Sequence, residues 1–153
     1  MSVAFRRDGD EEHLEPKFDL PIPPGPNLVT ARGLAMIAAR VDDLEAQVPT
    51  LTDETGLAAA RRQLRYWRTR QASARPMPQP DGSCVAVGCT VTLALNGTQR
   101  TITLVGDDEA DPAAGLLAFS APLARAVMAA EVGERIDFAG RAEAIEILAI
   151  RAD

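Results

Sequence analysis

The stretch VAVGCTVTLALNGTQRTITLVG, residues 85–106, decides the fold. Val87, Cys89, Val91, Leu93 and Leu95 fall on every second position, the period at which side chains of a strand return to one face. Asn96 and Gly97 come next, a pair that tolerates the left-handed backbone of a two-residue turn. Ile102 and Leu104 then restore the apolar face on the way back. These residues predict a β-hairpin with one side against a core.

Downstream, SAPLARAVMAA reads as a short helix. Ser120 is its expected cap, and Pro122 falls in the first turn, where a missing N–H costs nothing. VGERIDF and AEAIEILAI read as two more strands. Residues 82–153 thus predict a twisted antiparallel sheet with one helix across it.

Upstream the period changes to that of a helix. Leu34, Ile37, Val41, Leu44 and Val48 recur at spacings of three and four after Thr30, an expected N-cap. Pro49 ends this helix. Leu57, Ala60, Leu64, Trp67 and Gln71 repeat the pattern after Thr52 or Asp53, either of which suits a cap, while Gly56 weakens the first turn. An antiparallel helical hairpin is expected over residues 30–74, with arms of roughly 25 to 30 Å at 1.5 Å per residue and a loop of about four residues between them. Trp67 is the large residue that packs it. The second helix carries Arg61, Arg62, Arg65, Arg68 and Arg70, followed by Arg75; the first carries Asp42, Asp43 and Glu45. Solvated faces with weak ion pairs are the plain reading; a basic docking face is the alternative. The whole is an α+β protein: a flexible acidic and proline-rich arm over 1–27, the helical hairpin over 28–75, a linker over 76–81, and the sheet domain over 82–153. The arm holds five prolines between Pro16 and Pro26 and would touch the folded part through Phe18, Leu20 and Ile22.

Composition narrows the function. A net charge of -6 gives no support to a free-standing nucleic-acid binder. Cys84 and Cys89 lack metal-ligand spacing, and one histidine, His13, cannot complete a zinc set. They read as free thiols in a reducing compartment. No apolar leader or membrane-length run is visible, so the expected location is the cytoplasm and no membrane partner is expected.

Asp107, Asp108, Glu109 and Asp111 pack four acids into five residues. A calcium loop would need its alternating ligand series and closing Glu, which are absent. Acid–base catalysis lacks a partner His or Lys in the sheet domain, and neither cysteine has a histidine to activate it. The expectation is no metal, no cofactor and no enzyme. The simpler reading is scaffolding: Asp107 and Asp108 form Asx turns after Gly106, Asp111 caps the Ala113-Ala114 turn, and Arg125 bridges back to a carboxylate. The cluster then supports a protein-binding edge.

VAVGCTVTL, TITLVGDDEADPAAGLLAFSAPLARAVM, VGERIDF and EAIEILAI resemble, in order and with their spacing kept, the C-terminal domain of the bacterial Gre transcript-cleavage and elongation factors. The resemblance implies an FKBP-like fold for the sheet domain. In the front half, NLVTARGLAMIAARVDDLE and RRQLRYWRTRQASARPM resemble the opening and closing of the Gre coiled coil. The middle departs from the family. Cleavage-competent members carry a long hairpin with a G-D-x-x-E-N tip, whose two acids help hold magnesium in the RNA polymerase active site. Here the region reads QVPTLTDETG. Asp53 and Glu54 are the nearest acids to the tip, but they are adjacent, not three apart, and read first as a helix cap and a first-turn acid.

The resemblance implies a monomeric factor that binds bacterial RNA polymerase at its secondary channel and regulates elongation without strong stimulation of transcript cleavage. Asp108, Glu109, Asp111, Ser120, Pro122, Leu123, Ala124 and Arg125 are the candidates that form or support the docking surface. It also implies indirect proximity to nascent RNA and to DNA in the transcription complex. A second class is a non-transcriptional protein-binding adaptor of FKBP-like fold, similar to nucleoside diphosphate kinase regulators. A prolyl isomerase is a third, poorly served by two aromatics, Phe119 and Phe138.

Overall fold

A computed structural model describes residues 19–152. The calls on the earlier part of the arm, including Phe18 and His13, lie outside the described residues. Asp19 and Leu20 lead into a short strand, β1 (Asn27–Val29), and then α1 (Ala31–Gln47). Thr30 caps α1 as its spacing predicts, its hydroxyl accepting from the Gly33 N–H at 2.9 Å. Ile37, Val41 and Leu44 are buried along one stripe. As expected, α1 ends just before Pro49, which sits in a 3-10 turn, Val48–Thr50, where its missing N–H is tolerated. Residues 48–53 therefore join the helices, a longer connection than the four expected. α2 (Glu54–Ser73) begins at Asp53, whose carboxylate accepts from the Gly56 N–H at 2.7 Å.

The hairpin core is small: Val41, Leu44 and Leu64, with Val48 and Trp67 partly buried beside them. Gln71, the last member of the predicted stripe, is exposed. Trp67 is half-buried, meets Tyr66 edge-on at 5.1 Å between ring centres, and lies under the Arg40 guanidinium at 5.2 Å. Arg68 pairs with Glu45 across the hairpin at 2.8 Å, and both are exposed; such a pair contributes about 0.2 to 1 kcal/mol.

β2 (Ala74–Pro76) follows α2 directly and runs parallel to β1, with Asn27 opposite Ala74 and Val29 opposite Pro76. The Met77 N–H donates to the Val29 carbonyl at 2.9 Å. Neither strand has a periodic signal, and three residues are too few to show one.

The head contains β3 (Thr90–Leu95), β4 (Thr98–Val105), β5 (Leu116–Ala118), α3 (Pro122–Val127), β6 (Arg135–Phe138) and β7 (Arg141–Arg151). The sheet order is β5-β4-β3-β7-β6. Leu95 faces Thr98 across the expected two-residue turn. Asn96 and Gly97 there take φ of 50° and 86°, the region that turn requires. The sheet is mixed, not antiparallel: β4 and β5 run parallel, with Val105 beside Ala118. β5 was not legible because it is a three-residue strand, Leu116–Ala118, with no alternation. Val91, Leu93, Ile102, Leu104, Ile145 and Ile147 pack against Leu123, Ala124 and Val127 of α3. Each fully buried aliphatic side chain contributes about 1.5 to 3 kcal/mol. With twelve buried residues against the hairpin's three, the head holds most of the apolar stabilisation.

Candidate functional site

The four acids lie on the connection that carries the chain from β4 to its parallel neighbour β5. Two 3-10 turns shape it, Asp107–Glu109 and Pro112–Ala114. Gly106 opens the connection against the backbone of β1: a Cβ there would stand 2.5 Å from the Leu28 carbonyl oxygen, closer than any real contact. The head and the hairpin therefore meet backbone to backbone at this point.

Asp108 is the centre of the meeting. Its carboxylate accepts from Arg70 Nε and from Tyr66 Oη, each at 2.5 Å. The side chains of Arg70 and Asp108 are 2% and 7% exposed, so the pair is out of water. Arg70 Nη2 donates in turn to Asn27 Oδ1 at 2.8 Å, and Asn27 Nδ2 donates to the Arg70 carbonyl at 2.8 Å. One carboxylate of the head thus holds the last turns of α2, and α2 holds β1. Burial first, then the hydrogen bond and the negative charge of Asp108, push the Tyr66 hydroxyl up to about 12; the Arg70 charge works against the rise.

Glu109 makes the second contact. Its side chain is 4% exposed. Its Oε1 accepts from the Thr30 hydroxyl at 2.7 Å, the same hydroxyl that caps α1. Arg32 stands 3.6 Å from its other oxygen. Gly33 leaves room for this carboxylate, since a Cβ there would come within 2.7 Å of it. An acid at a helix N-terminus is also favoured by the helix dipole.

The other candidates fall into two groups. Asp111, Ser120, Pro122 and Arg125 are exposed, whereas Leu123 and Ala124 are buried in the head core. Ser120 and Arg125 border a groove of about 1050 Å³ whose apolar walls include Leu28, Met77, Phe119 and Met128. Ser120 does not cap α3. Ala121 takes that position without a side-chain bond, and the Ser120 hydroxyl donates to Asp107 instead. Asp111 holds the Ala113-Ala114 turn through its carbonyl, not its carboxylate. Among the described residues Arg125 bridges to none of the four acids; Arg70, 38 residues before Asp108, supplies the buried bridge. Asp53 and Glu54 sit at the far end of the hairpin, exposed, with the Asp53 side chain committed to its cap.

Tyr66 and Asn27 carry no motif and were missed by sequence reasoning. Arg70 was seen only as one of a row of arginines. Among the described residues no three His, Cys, Asp or Glu side chains stand together as a metal-holding group. Burial pushes the Cys89 thiol up, away from the reactive thiolate.

Residues 79–152 match the family model described as transcription elongation factor, GreA/GreB, C-terminal. A transcription elongation factor GreA of Agrobacterium fabrum is 37% identical over 87 residues, which are 54% of this chain and 55% of that protein. Another, of Sinorhizobium medicae, is 39% identical over 74 residues, 46% of this chain and 47% of that protein. The chain spans about half the length of the curated relatives it matches. Among solved structures, GreA factor homolog 1 (Gfh1) of Thermus thermophilus aligns over 83% of this chain and 99% of that one, with 15% identity and a TM-score of 0.38. That likeness is too low to carry argument.

Proposed function

Since the chain belongs to the bacterial GreA/GreB transcription-factor family, we propose that it binds RNA polymerase at the secondary channel and regulates elongation without strong stimulation of transcript cleavage. The observation that carries the second half of this reading is the hairpin tip. Asp53 is held as a helix cap at 2.7 Å from the Gly56 N–H, and Glu54 is its immediate neighbour in the first turn. Adjacent residues of a helix start point in different directions. The two acids do not form the spaced pair that a shared magnesium would require. α2 has 20 residues, about 30 Å of reach at 1.5 Å per residue.

The first half rests on family membership and on the head's exposed face. Asp111, Ser120, Pro122 and Arg125 form the docking surface, and Leu123 and Ala124 support it from the core. Asp108 and Glu109 support it from the joint. The protein is a cytoplasmic monomer that needs no cofactor, and its nearness to RNA and DNA comes only through the polymerase. We read the head as FKBP-like, a reading supported by its mixed sheet with one short helix packed against it.

Two measurements test this. Tagged protein is mixed with purified RNA polymerase at low salt, where retention is expected; failure to retain the enzyme refutes polymerase binding and leaves the adaptor class. Backtracked complexes are then incubated with the protein and magnesium. RNA cleavage near background is expected, and strong cleavage that disappears in the Asp53→Ala, Glu54→Ala double variant refutes the reading of the tip.

A further inference from the structure

We infer that Asp108 and Arg70 are positioning residues: their buried pair sets the angle at which the hairpin leaves the head, and so sets where Asp53 arrives when the head is docked. The inference rests on the polymerase reading for its consequence, but its geometry stands alone.

Apolar residues are buried between the two cores: Val29 and Ile37 are 2% and 1% exposed and belong to neither the head's cluster nor the hairpin's. Apolar contact is non-directional, so by itself it would let two bodies of this size settle at several angles. The polar contacts at this joint are directional. Asp108 accepts two hydrogen bonds at 2.5 Å, both from one face of α2, since Tyr66 and Arg70 are four residues apart. Arg70 is fixed from its other side by Asn27 of β1 at 2.8 Å. Glu109 fixes the start of α1 through Thr30 at 2.7 Å. Both helices are therefore held near their head-side ends by charge-assisted hydrogen bonds, which weaken steeply when bent or stretched.

Burial sharpens the effect. Charges taken out of water regain their solvation loss only when the pair is well formed. A tilt of the hairpin that parted Asp108 from Arg70 would leave both uncompensated. The glycines remove the slack: Gly106 lies against the Leu28 carbonyl and Gly33 against the Glu109 carboxylate. A tilt of even ten degrees moves the end of a ~30 Å arm by roughly 5 Å, enough to change what the tip touches. Asp108 cannot do this and also touch a partner, because its side chain is 7% exposed.

The test reads the angle directly. Spin labels are placed on cysteines introduced at Thr55 in the hairpin and Gln99 in the head, both exposed. Cys84→Ser removes the half-exposed native thiol; Cys89 is 0% exposed and escapes labelling. The distance distribution is expected to be single and narrow. D108N should broaden it by roughly twofold or more while thermal unfolding stays cooperative. The double variant Asp108→Leu, Arg70→Met replaces the pair by apolar groups that often match it in stability; it too should fold and show the broad distribution. At a protein concentration that saturates RNA polymerase, D108N should lose most of the effect on elongation rate.

A distribution in either variant as narrow as the parent's overturns the inference. So does a broad one in the parent. Loss of folding in both variants also overturns it, because the pair would then hold the fold and not the angle. A failed pull-down of the parent removes the polymerase reading and leaves the distance result to decide the joint.

Discussion

Tyr66 offers a direct measurement of the joint. It is the chain's one tyrosine, so phenolate absorbance in a pH titration reports this residue alone. In the folded protein its hydroxyl stands at about 12 against an ordinary 10.0, raised by burial first and by Asp108 second. Two pH units correspond to about a hundredfold in proton affinity. The sign runs as for any group held protonated by folding: the folded value lies above the unfolded one. Its contribution to stability is therefore complete below pH 10 and is lost as pH rises from 10 toward 12. The folded protein should titrate near 12 and the protein in urea near 10. In D108N the folded midpoint should fall but remain above 10, because burial, the larger cause, persists. Urea unfolding should show wild-type stability declining through this window more steeply than that of Tyr66→Phe, which keeps the similarly signed contribution of Cys89. A folded-state midpoint at 10 would mean that the phenol is solvated and that the hydrogen bond to Asp108 is not formed.

Other parts of the molecule make separate predictions. Gly106→Ala places a Cβ 2.5 Å from the Leu28 carbonyl, where the atoms that must yield are backbone; a loss of about 1 to 3 kcal/mol is expected, and an unchanged melt would show that the joint is looser than drawn. Trp67→Ala should cost about 2 kcal/mol in urea unfolding, below the 3 to 5 of a fully buried ring, because the ring is half-buried; a cost near 5 would place it in a core. Asp53→Ala removes the cap bond to Gly56 and should lower stability by about 1 kcal/mol, with RNA cleavage by backtracked complexes unchanged.

Where the residues carried a period, the sequence was readable. The alternation through Val87, Cys89, Val91, Leu93 and Leu95 returned as buried or half-buried positions, and the Asn96-Gly97 turn formed where its backbone freedom placed it. Thr30 and Asp53 capped their helices because a short oxygen side chain just before a helix reaches the free N–H groups of its first turn. The errors lie where a side chain had more than one choice. Ser120 could cap α3 or bond Asp107, and it took Asp107. Arg125 is near the acids in sequence, but Arg70 reaches them through the fold. β1, β2 and β5 are three residues each, and their pairing depends on neighbours brought together from elsewhere. No local rule distinguishes Arg70 from Arg68, one buried and the other paired in water with Glu45; only the packing of α2 on the head does.

The placement of the acids also divides the labour of the cluster. Asp108 and Glu109 are buried and engaged by the hairpin. Asp107 is engaged by Ser120. Asp111 alone of the four is exposed, and its carboxylate makes no cap bond. Of the proposed docking residues, the exposed charges are Asp111 and Arg125, one acid and one base, and not a block of negative charge. Such a mixed surface favours a partner of alternating sign over a strongly basic one, and like most exposed charge its effect belongs to association rate and should fade with salt. The joint's inward charges are shielded from that screening. Raising salt should thus weaken docking while leaving the hairpin's angle unchanged, a separation that a cluster facing wholly outward would not produce.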